Sequence, residues 1–328
     1  MAQMGFLISS KPGERRRALL PEQVRQIAGR DELVFECGYG GTLGIPDSDY
    51  LAAGARVGER QQVLACKMLV DVKLADADYL GRLGRNKLLI GWAHAVQKLD
   101  FTSACILGGH SVLAWEEIFE DGRYLFWKNR ELAGQAAILH AFRYCGKLPC
   151  DTRVAVIGNG QTARGAVQTL RALGARTDVF GRSLENSFKQ LMYDYDVIVN
   201  CVLWDTSRTD HLICREDLKR MKLGTLIIDV SCDPHLEIET SHATTIENPV
   251  YTVDGVIHYA VDNTPALFPV SASRVISEGF APYVDAILEG KLPPSLEKAV
   301  VIRNGGIQDE RIRMFRKARG LFCELPAT

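Results

Sequence analysis

Two polar side chains able to carry protons stand directly after apolar, β-rich runs of this sequence. Lys73 closes the run at 68–73, and His94 follows the run at 88–92. Ligands of α/β sheets bind at the carboxyl ends of the strands, so both side chains are candidates for acid–base work on a carbonyl or an imine. A single histidine is more often structural. The pair therefore points to catalysis only if further residues of the sequence supply the rest of a reactive site.

A run of three arginines, at 15–17, precedes a predicted helix that starts at Pro21. A guanidinium group can bind a planar carboxylate through two parallel hydrogen bonds. On its own, such a run is more often a solvated surface.

The segment at 158–163 reads GNGQTA and fits the pattern G-x-G-x-x-[GA] between a β-rich run and a helical pattern. The first glycine allows a tight turn, the second lets the backbone approach a pyrophosphate, and the small last residue lets helix and strand pack closely. We predict a dinucleotide site at Gly158, Asn159, Gly160, Gln161, Thr162 and Ala163.

The end of the next predicted strand distinguishes the two nicotinamide dinucleotides. An NAD site usually has an acidic residue there, whereas this chain has Gly181 followed by Arg182 and Ser183. Asp178 stands too early in the strand to bind the ribose. This pattern predicts NADP(H), with the 2′-phosphate bound by Arg182; the alternative is that Arg182 is an ordinary surface residue.

Alternating apolar runs and helical patterns predict an α/β fold: two Rossmann-like domains with parallel sheets and an active-site cleft between them. We expect a discontinuous substrate (catalytic) domain at 1–127 plus 275–328. The NADP(H)-binding domain is expected at 128–274 and includes a bridging helix. Helices are predicted at about 21–28, 127–145 and 271–288.

Composition excludes several classes of function. The net charge is −1, from 39 basic and 40 acidic residues, which gives no reason to expect a nucleic-acid or membrane partner. The nine cysteines are scattered and the remaining histidines lack ligand spacing, so we expect no disulfide framework and no metal. Without a signal-peptide pattern or a long apolar stretch, we expect a cytoplasmic protein.

Several motifs together resemble the alanine dehydrogenase and pyridine nucleotide transhydrogenase family. They are ERRRALLP at 14–21, VDVK at 70–73, AHA at 93–95, the glycine turn, IIDVSCD at 227–233, and the long segment at 248–269. They occur in the family's order and span nearly the whole chain.

The resemblance implies a role for five residues. Arg16 would bind the substrate carboxylate, Lys73 the substrate, and His94 would be the catalytic histidine. Asp233 would lie near the nicotinamide ribose and the reacting carbon, and Asn263 would belong to the loop that closes over the nicotinamide. The proton shuttle is His94, or Lys73 if its pKa is lowered by a neighbouring guanidinium.

Within the family, the sequence is most similar to members that reductively join pyruvate to an amino group of ornithine or lysine. The resemblance therefore implies small-molecule substrates and a homo-oligomer. Leu74-Ala75 replaces the usual Glu-Pro, and Pro234-His235 replaces Gln-Gly, which argues against ammonia-dependent alanine formation. Alanine dehydrogenase and a non-catalytic NADP(H)-binding sensor remain the alternatives.

Overall fold

Buried parallel strands form the centre of each of the two units into which this chain divides. The computed structural model describes residues 3–205, 208–232 and 235–323. One unit consists of Met1–Phe126 and Pro269–Thr328, and the other of Trp127–Phe268.

The first segment of the discontinuous unit alternates short strands and helices. Its strands are β1 (Met4–Phe6), β2 (Leu33–Glu36), β3 (Arg56–Gly58), β4 (Met68–Val70), β5 (Leu88–Gly91), β6 (Ser111–Ala114), β7 (Phe119–Glu120) and β8 (Arg123–Tyr124). Its helices are α1 (Pro21–Val24), α2 (Asp47–Ala52), α3 (Arg60–Ala65) and α4 (Leu99–Gly108).

The continuous unit contains the glycine turn. Its helices are α5 (Trp127–Ala141), α6 (Gln161–Ala172), α7 (Glu185–Leu191) and α8 (Arg215–Leu218). Its strands are β9 (Arg153–Ile157), β10 (Arg176–Phe180), β11 (Val197–Asn200), β12 (Leu226–Asp229), β13 (Val250–Val253) and β14 (Val256–Tyr259).

The last segment completes the first unit. It contains α9 (Pro269–Leu288), α10 (Pro294–Glu297), β15 (Val300–Arg303), β16 (Gly306–Ile307) and α11 (Glu310–Lys317).

The large sheet of the first unit has the order β16-β15-β6-β5-β4-β1-β2-β3 in the part of the chain that is described. Strands β1 to β6 pair in parallel, whereas β15 is antiparallel to β6 and β16 to β15. After β1 the chain builds the sheet to one side through β2 and β3, and then continues on the other side with β4. This reversal makes the gap between the carboxyl ends of β1 and β4 a topological switch point, the usual ligand position of such sheets.

The sheet of the second unit has the order β10-β9-β11-β12-β14-β13 over the described residues. All neighbours are parallel except the β13–β14 pair. Along β9, Val154 and Val156 enter one apolar core while Ala155 and Ile157 enter another, because successive side chains point to opposite faces. Here the switch point lies between the carboxyl ends of β9 and β11.

These sheets confirm the prediction of an α/β fold built on parallel strands. The predicted helix at 21–28 is shorter, since α1 ends at Val24. The N–H groups of Ala28 and Gly29 instead donate to the Asp285 carboxylate of α9, at 3.0 and 2.9 Å. A side chain 256 or more residues away therefore satisfies the donors that a longer helix would have used.

Helices α5 and α6 approach one another backbone to backbone. A Cβ atom added at Gly165 would lie 2.0 Å from the carbonyl oxygen of Glu131, and one added at Gly134 would lie 2.0 Å from that of Thr162. Both glycines are thus required by the close packing rather than by an unusual backbone conformation.

We expect Gly165→Ala to lower the free energy of unfolding by about 1–3 kcal/mol, because the methyl group forces the two helix backbones apart. Urea denaturation measures this change. The control is Gly81→Ala, where an added Cβ meets no atom within 4 Å. Equal stability of the Gly165 variant and the wild type would contradict the close approach.

Candidate active site and cofactor pocket

Three loops meet at the switch point of the first sheet: the residues that follow β1, β4 and β5. The N–H of Asp71 donates to the carbonyl of Ile90, and that of Ala75 donates to the carbonyl of Trp92, at 3.0 and 3.1 Å. The Ser10 hydroxyl, after β1, donates to Asp78 at 2.5 Å. The two backbone bonds hold the segments that carry Lys73 and His94 against each other, and the Ser10–Asp78 bond attaches the loop after β1 to the loop after β4.

The buried carboxylate of Asp71 fixes the start of the loop that carries Lys73. It accepts from the N–H of Lys73 and from the hydroxyl of Tyr79, both at 3.0 Å. Burial raises its pKa to about 6, although these bonds and one from the Ser9 side chain favour the ionised form. The Lys73 side chain itself is buried.

His94 has a left-handed backbone, with φ of 42°, which non-glycine residues seldom adopt. The carboxylate of Glu116, which follows β6, supports this turn by accepting from the N–H of Ala93 at 3.1 Å. Burial, together with the positive charge of Lys73, lowers the pKa of His94 to about 4. The imidazole is therefore neutral at pH 7 and lies within the electrostatic reach of Lys73.

Arg16 is held by two partners and is buried. Its Nε and Nη2 donate to the two oxygens of Glu14, at 2.8 and 2.6 Å, and its guanidinium lies 4.9 Å from the centre of the Trp92 ring. Because Trp92 precedes His94 by two residues, this contact connects Arg16 with the β5 loop.

The other two arginines of the run differ from Arg16. Arg15 is exposed. Arg17 is buried and donates to the carbonyls of Tyr39 and Arg16, so its role is structural.

In the second unit, a cavity of about 650 Å³ opens at the switch point. Gly158 has a φ of 112°, and a Cβ there would lie 2.8 Å from the carbonyl oxygen of Cys201. A Cβ at Gly160, the residue before α6, would meet nothing within 4 Å, so the backbone is open to the cavity. The buried Oε1 of Gln161 has no hydrogen-bond partner among the described residues.

This cradle fits a dinucleotide. The start of α6 presents N–H groups to an anion, and the Gln161 oxygen can accept from a hydroxyl. The lining residues are Arg130, Ile157, Gly158, Asn159, Gly160, Gln161, Thr162, Phe180, Gly181, Arg182, Glu185, Cys201, Val202, Leu203, Trp204, Asp205, Arg208, Leu212, Val230 and Ser231.

The predicted cofactor residues occupy different positions around this cavity. Arg182 is exposed and lines it, whereas the neighbouring Ser183 is exposed but is not a lining residue. Ala163 is buried in the core, where its small side chain allows α6 to pack on the sheet. Asn263 is buried just before the 3-10 turn Thr264–Leu267 and is not one of the lining residues.

Asp233 lies outside the described residues. Asp229, in β12, is buried and accepts from Asn200 at 2.9 Å and from the hydroxyl of Ser241.

Within residues 3–205, 208–232 and 235–323, no three histidine, cysteine or carboxylate side chains are grouped so as to hold a metal ion. No helix of this part of the chain is long and apolar enough to cross a bilayer.

Two family models match the sequence. The N-terminal domain of alanine dehydrogenase/PNT matches residues 9–126, and the C-terminal domain matches residues 181–310. The N(5)-(carboxyethyl)ornithine synthase of Clostridium botulinum is 30% identical over 302 residues, which cover 86% of this chain and 93% of that protein. The chain belongs to the alanine dehydrogenase/PNT family.

Alanine dehydrogenases are also similar to this member of the alanine dehydrogenase/PNT family. That of Halomonas elongata is 27% identical, with 85% of each chain covered. A solved structure of L-alanine dehydrogenase aligns with a TM-score of 0.83 at 22% identity, over 96% of this chain and 99% of that one, so the two share their fold. As a member of the family, the chain is an oxidoreductase that uses a nicotinamide cofactor.

The residues that hold the candidate side chains were not predicted from the sequence. In the first unit these are Glu14, Asp71, Trp92 and Glu116. A charge inside an otherwise apolar run could have pointed to Asp71, and Glu14 lies only two residues from Arg16. The contacts of Trp92 with Arg16 and of Glu116 with the N–H of Ala93 join loops that are distant in sequence.

A second arginine, Arg208, lines the cofactor cavity together with Arg182. Its Nη1 and Nη2 donate to Glu185 at 2.9 and 2.8 Å, and its guanidinium lies 4.2 Å from the centre of the Trp204 ring. The hydrogen bond from Arg208 lowers the pKa of Glu185. No motif marks this loop in the sequence.

We expect the imidazole of His94 to titrate near pH 4, and its midpoint to rise in Lys73→Met because a nearby positive charge is removed. NMR of histidine-labelled protein follows the titration. Lys291→Met removes an exposed lysine that pairs with Glu289 and is expected to leave the midpoint unchanged. A wild-type midpoint near 6.5, the value of a solvated histidine, would contradict the described burial.

Proposed function

We propose that this protein catalyses the NADPH-dependent condensation of pyruvate with an amino group of ornithine, or of lysine, to give an N-(1-carboxyethyl) amino acid. The observation that carries the proposal is the 30% identity to an N(5)-(carboxyethyl)ornithine synthase over 93% of that protein's length. The pairing of Lys73 with a neutral His94 at the switch point supports it, because carbonyl and imine chemistry needs such groups.

The reaction balances with one proton taken from solvent and no other reactant. The neutral amine adds to C2 of pyruvate, and the carbinolamine loses water to form an imine. The imine carbon then gains a hydride and its nitrogen gains a proton. The products are the N-(1-carboxyethyl) amino acid, NADP⁺ and one water molecule.

Three side chains of the first unit act on the substrates in this proposal. Arg16, oriented by Glu14 and Trp92, binds the carboxylate of pyruvate. Lys73, positioned through Asp71, polarises the C2 oxygen. His94 takes the proton of the attacking amine and returns one as water leaves.

Neutrality suits His94 for the first proton transfer. Its pKa of about 4 means that the imidazole begins the cycle without a proton to lose. The negative charge of bound pyruvate raises this pKa toward the value of a working base. We therefore favour His94 over Lys73 as the main proton shuttle.

The cofactor of the proposal is NADP(H), which supplies the hydride when bound. Gly158, Asn159, Gly160, Gln161 and Thr162 would hold its pyrophosphate at the start of α6. Arg182, with Ser183 beside it, would bind the 2′-phosphate, since Gly181 stands where an NAD site has an acid. Ala163 supports the turn from the core.

Two further residues would act at the nicotinamide end of the cofactor. Asn263 would belong to the loop that closes over the nicotinamide, and Asp233 would be a catalytic residue near the reacting carbon. The role of Asp233 rests on the sequence alone.

An assay of NADPH oxidation tests the function. With pyruvate present, we expect oxidation with ornithine or lysine and little with ammonium. Lys73→Ala and His94→Ala should each lower kcat/KM by at least about 100-fold, as expected for general acid–base and electrostatic catalysis. Oxidation with ammonium alone would make the protein an alanine dehydrogenase. Full activity of both variants would remove Lys73 and His94 from the catalytic site, whereas NADPH binding without oxidation in the presence of every amine would favour the sensor hypothesis.

We expect Arg182→Ala to weaken NADPH binding by about 10- to 100-fold, because a charged hydrogen bond to the phosphate is lost, and to leave NADH binding unchanged. Adding Gly181→Asp should turn the preference toward NADH. Fluorescence titration with both cofactors measures these affinities. Arg176→Ala, at the opposite end of β10, is the control. Unchanged relative affinities would remove Arg182 from the phosphate site.

A further inference from the structure

A mixed-charge cluster, the Lys11–Asp76–Lys98 triad, lies at the switch point of the first sheet. The Nζ of Lys98 lies 2.7 Å from Oδ1 of Asp76, and the Nζ of Lys11 lies 3.5 Å from Oδ2. The side chains are 45%, 16% and 21% exposed for Lys98, Lys11 and Asp76. The triad is thus reachable from solvent, although Asp76 and Lys11 are largely enclosed.

Each member of the triad comes from a different loop at the carboxyl edge of the sheet. Lys11 follows β1, Asp76 follows β4, and Lys98 follows β5. The N–H of Lys98 donates to the carbonyl of His94 at 3.1 Å, so the triad adjoins the histidine turn. The charges of all three residues also act on the pKa of His94. The triad therefore belongs to the neighbourhood of the proposed chemistry.

The charges of the triad persist at neutral pH. Burial by itself would raise the pKa of Asp76, but the hydrogen bond from Lys98 and the charge of Lys11 outweigh it and lower this pKa below the ordinary value. Asp76 is therefore ionised and carries one negative charge between two positive ones.

This charge pattern complements the head group of an α-amino acid. Such a head group has one carboxylate and one ammonium on the same carbon. When it binds, its two charges can replace the partners that Asp76 and a lysine have in the existing ion pair. Asp76 can accept the ammonium while the two lysines bind the carboxylate. Lys98 is the most exposed member, and its flexible side chain can turn from Asp76 to a ligand.

The Asp71–Tyr79 bond explains why the triad stays in place during such an exchange. Both ends of the loop that carries Asp76 are anchored, since Tyr79 is buried and donates to Asp71 at 3.0 Å. The N–H of Asp76 also donates to the carbonyl of Lys73 at 2.9 Å. A ligand at Asp76 is thereby held at a fixed separation from Lys73.

We propose that Lys11, Asp76 and Lys98 bind the α-ammonium and α-carboxylate groups of the amine substrate, and so select a diamino acid over ammonia. The identity of the amine as ornithine or lysine rests on the proposed function. The terminal amine at the other end of the substrate's methylene chain would be the one that reacts.

Calorimetric titration of the full chain with NADP⁺ bound tests the proposal, using three ligands. These are ornithine, 5-aminopentanoate, which lacks the α-ammonium, and 1,4-diaminobutane, which lacks the α-carboxylate. We expect the wild type to bind ornithine at least about tenfold more tightly than either analogue, the factor expected for a lost charged hydrogen bond.

The variants separate the two halves of the head group. Asp76→Asn should weaken ornithine binding by about tenfold or more and change 5-aminopentanoate binding little. Lys98→Gln and Lys11→Gln should weaken ornithine and 5-aminopentanoate but not 1,4-diaminobutane. Lys291→Gln, at an exposed ion pair with Glu289, is the matched control. Thermal unfolding shows whether each variant is folded. If Asp76→Asn does not fold, the proposal is still tested by Lys98→Gln, because Lys98 is the most exposed member of the triad.

If the variants lost affinity equally for all three ligands, or if the wild type did not bind ornithine, the proposed head-group site would be overturned. Failure of the proposed function has a different signature, because NADPH oxidation with pyruvate and a diamino acid would then be absent even when ornithine binds as described.

Discussion

The reversal of strand order beside the first strand of each sheet, where the chain switches from adding strands on one side to adding them on the other, is the constraint on which both sites depend. In the first unit, β1 is flanked by β2 and β4, and in the second, β9 is flanked by β10 and β11. Loops that leave neighbouring strands toward opposite sides cannot cover the gap between them, and a crevice remains. Charged side chains lie at the first crevice, and the backbone of the glycine turn lies at the second.

Paired charges make the first crevice stable. Burying an isolated charge is costly, so buried ionisable groups need partners or a neutral form. Glu14 neutralises Arg16, and Asp71 is surrounded by donors. His94 instead takes the neutral form, since burial and Lys73 both act against its charge. One physical requirement thus produces an oriented guanidinium, a fixed lysine loop and an uncharged imidazole.

Much of this could be predicted from local sequence. The β-rich run followed by GNGQTA predicts a strand, a tight turn and a helix, because a glycine at 158 readily adopts the φ of 112° that the turn requires. The position of Lys73 and His94 after apolar strands was also sufficient to place both at the sheet edge. The extent of α1 was not predictable, since Asp285 of α9 takes the donors that would have extended it.

The sequence by itself determined the α/β fold, the glycine cradle and the chemical types available at the strand ends, because these follow from short-range periodicity and the conformational freedom of single residues. Only the tertiary structure decided which charges meet. The contact of Trp92 with Arg16, the support of the His94 turn by Glu116, and the Lys11–Asp76–Lys98 triad join loops far apart in the chain, whereas Glu14 lies only two residues from Arg16. Electrostatic pairing depends on distances in space, and no local pattern of residues records them.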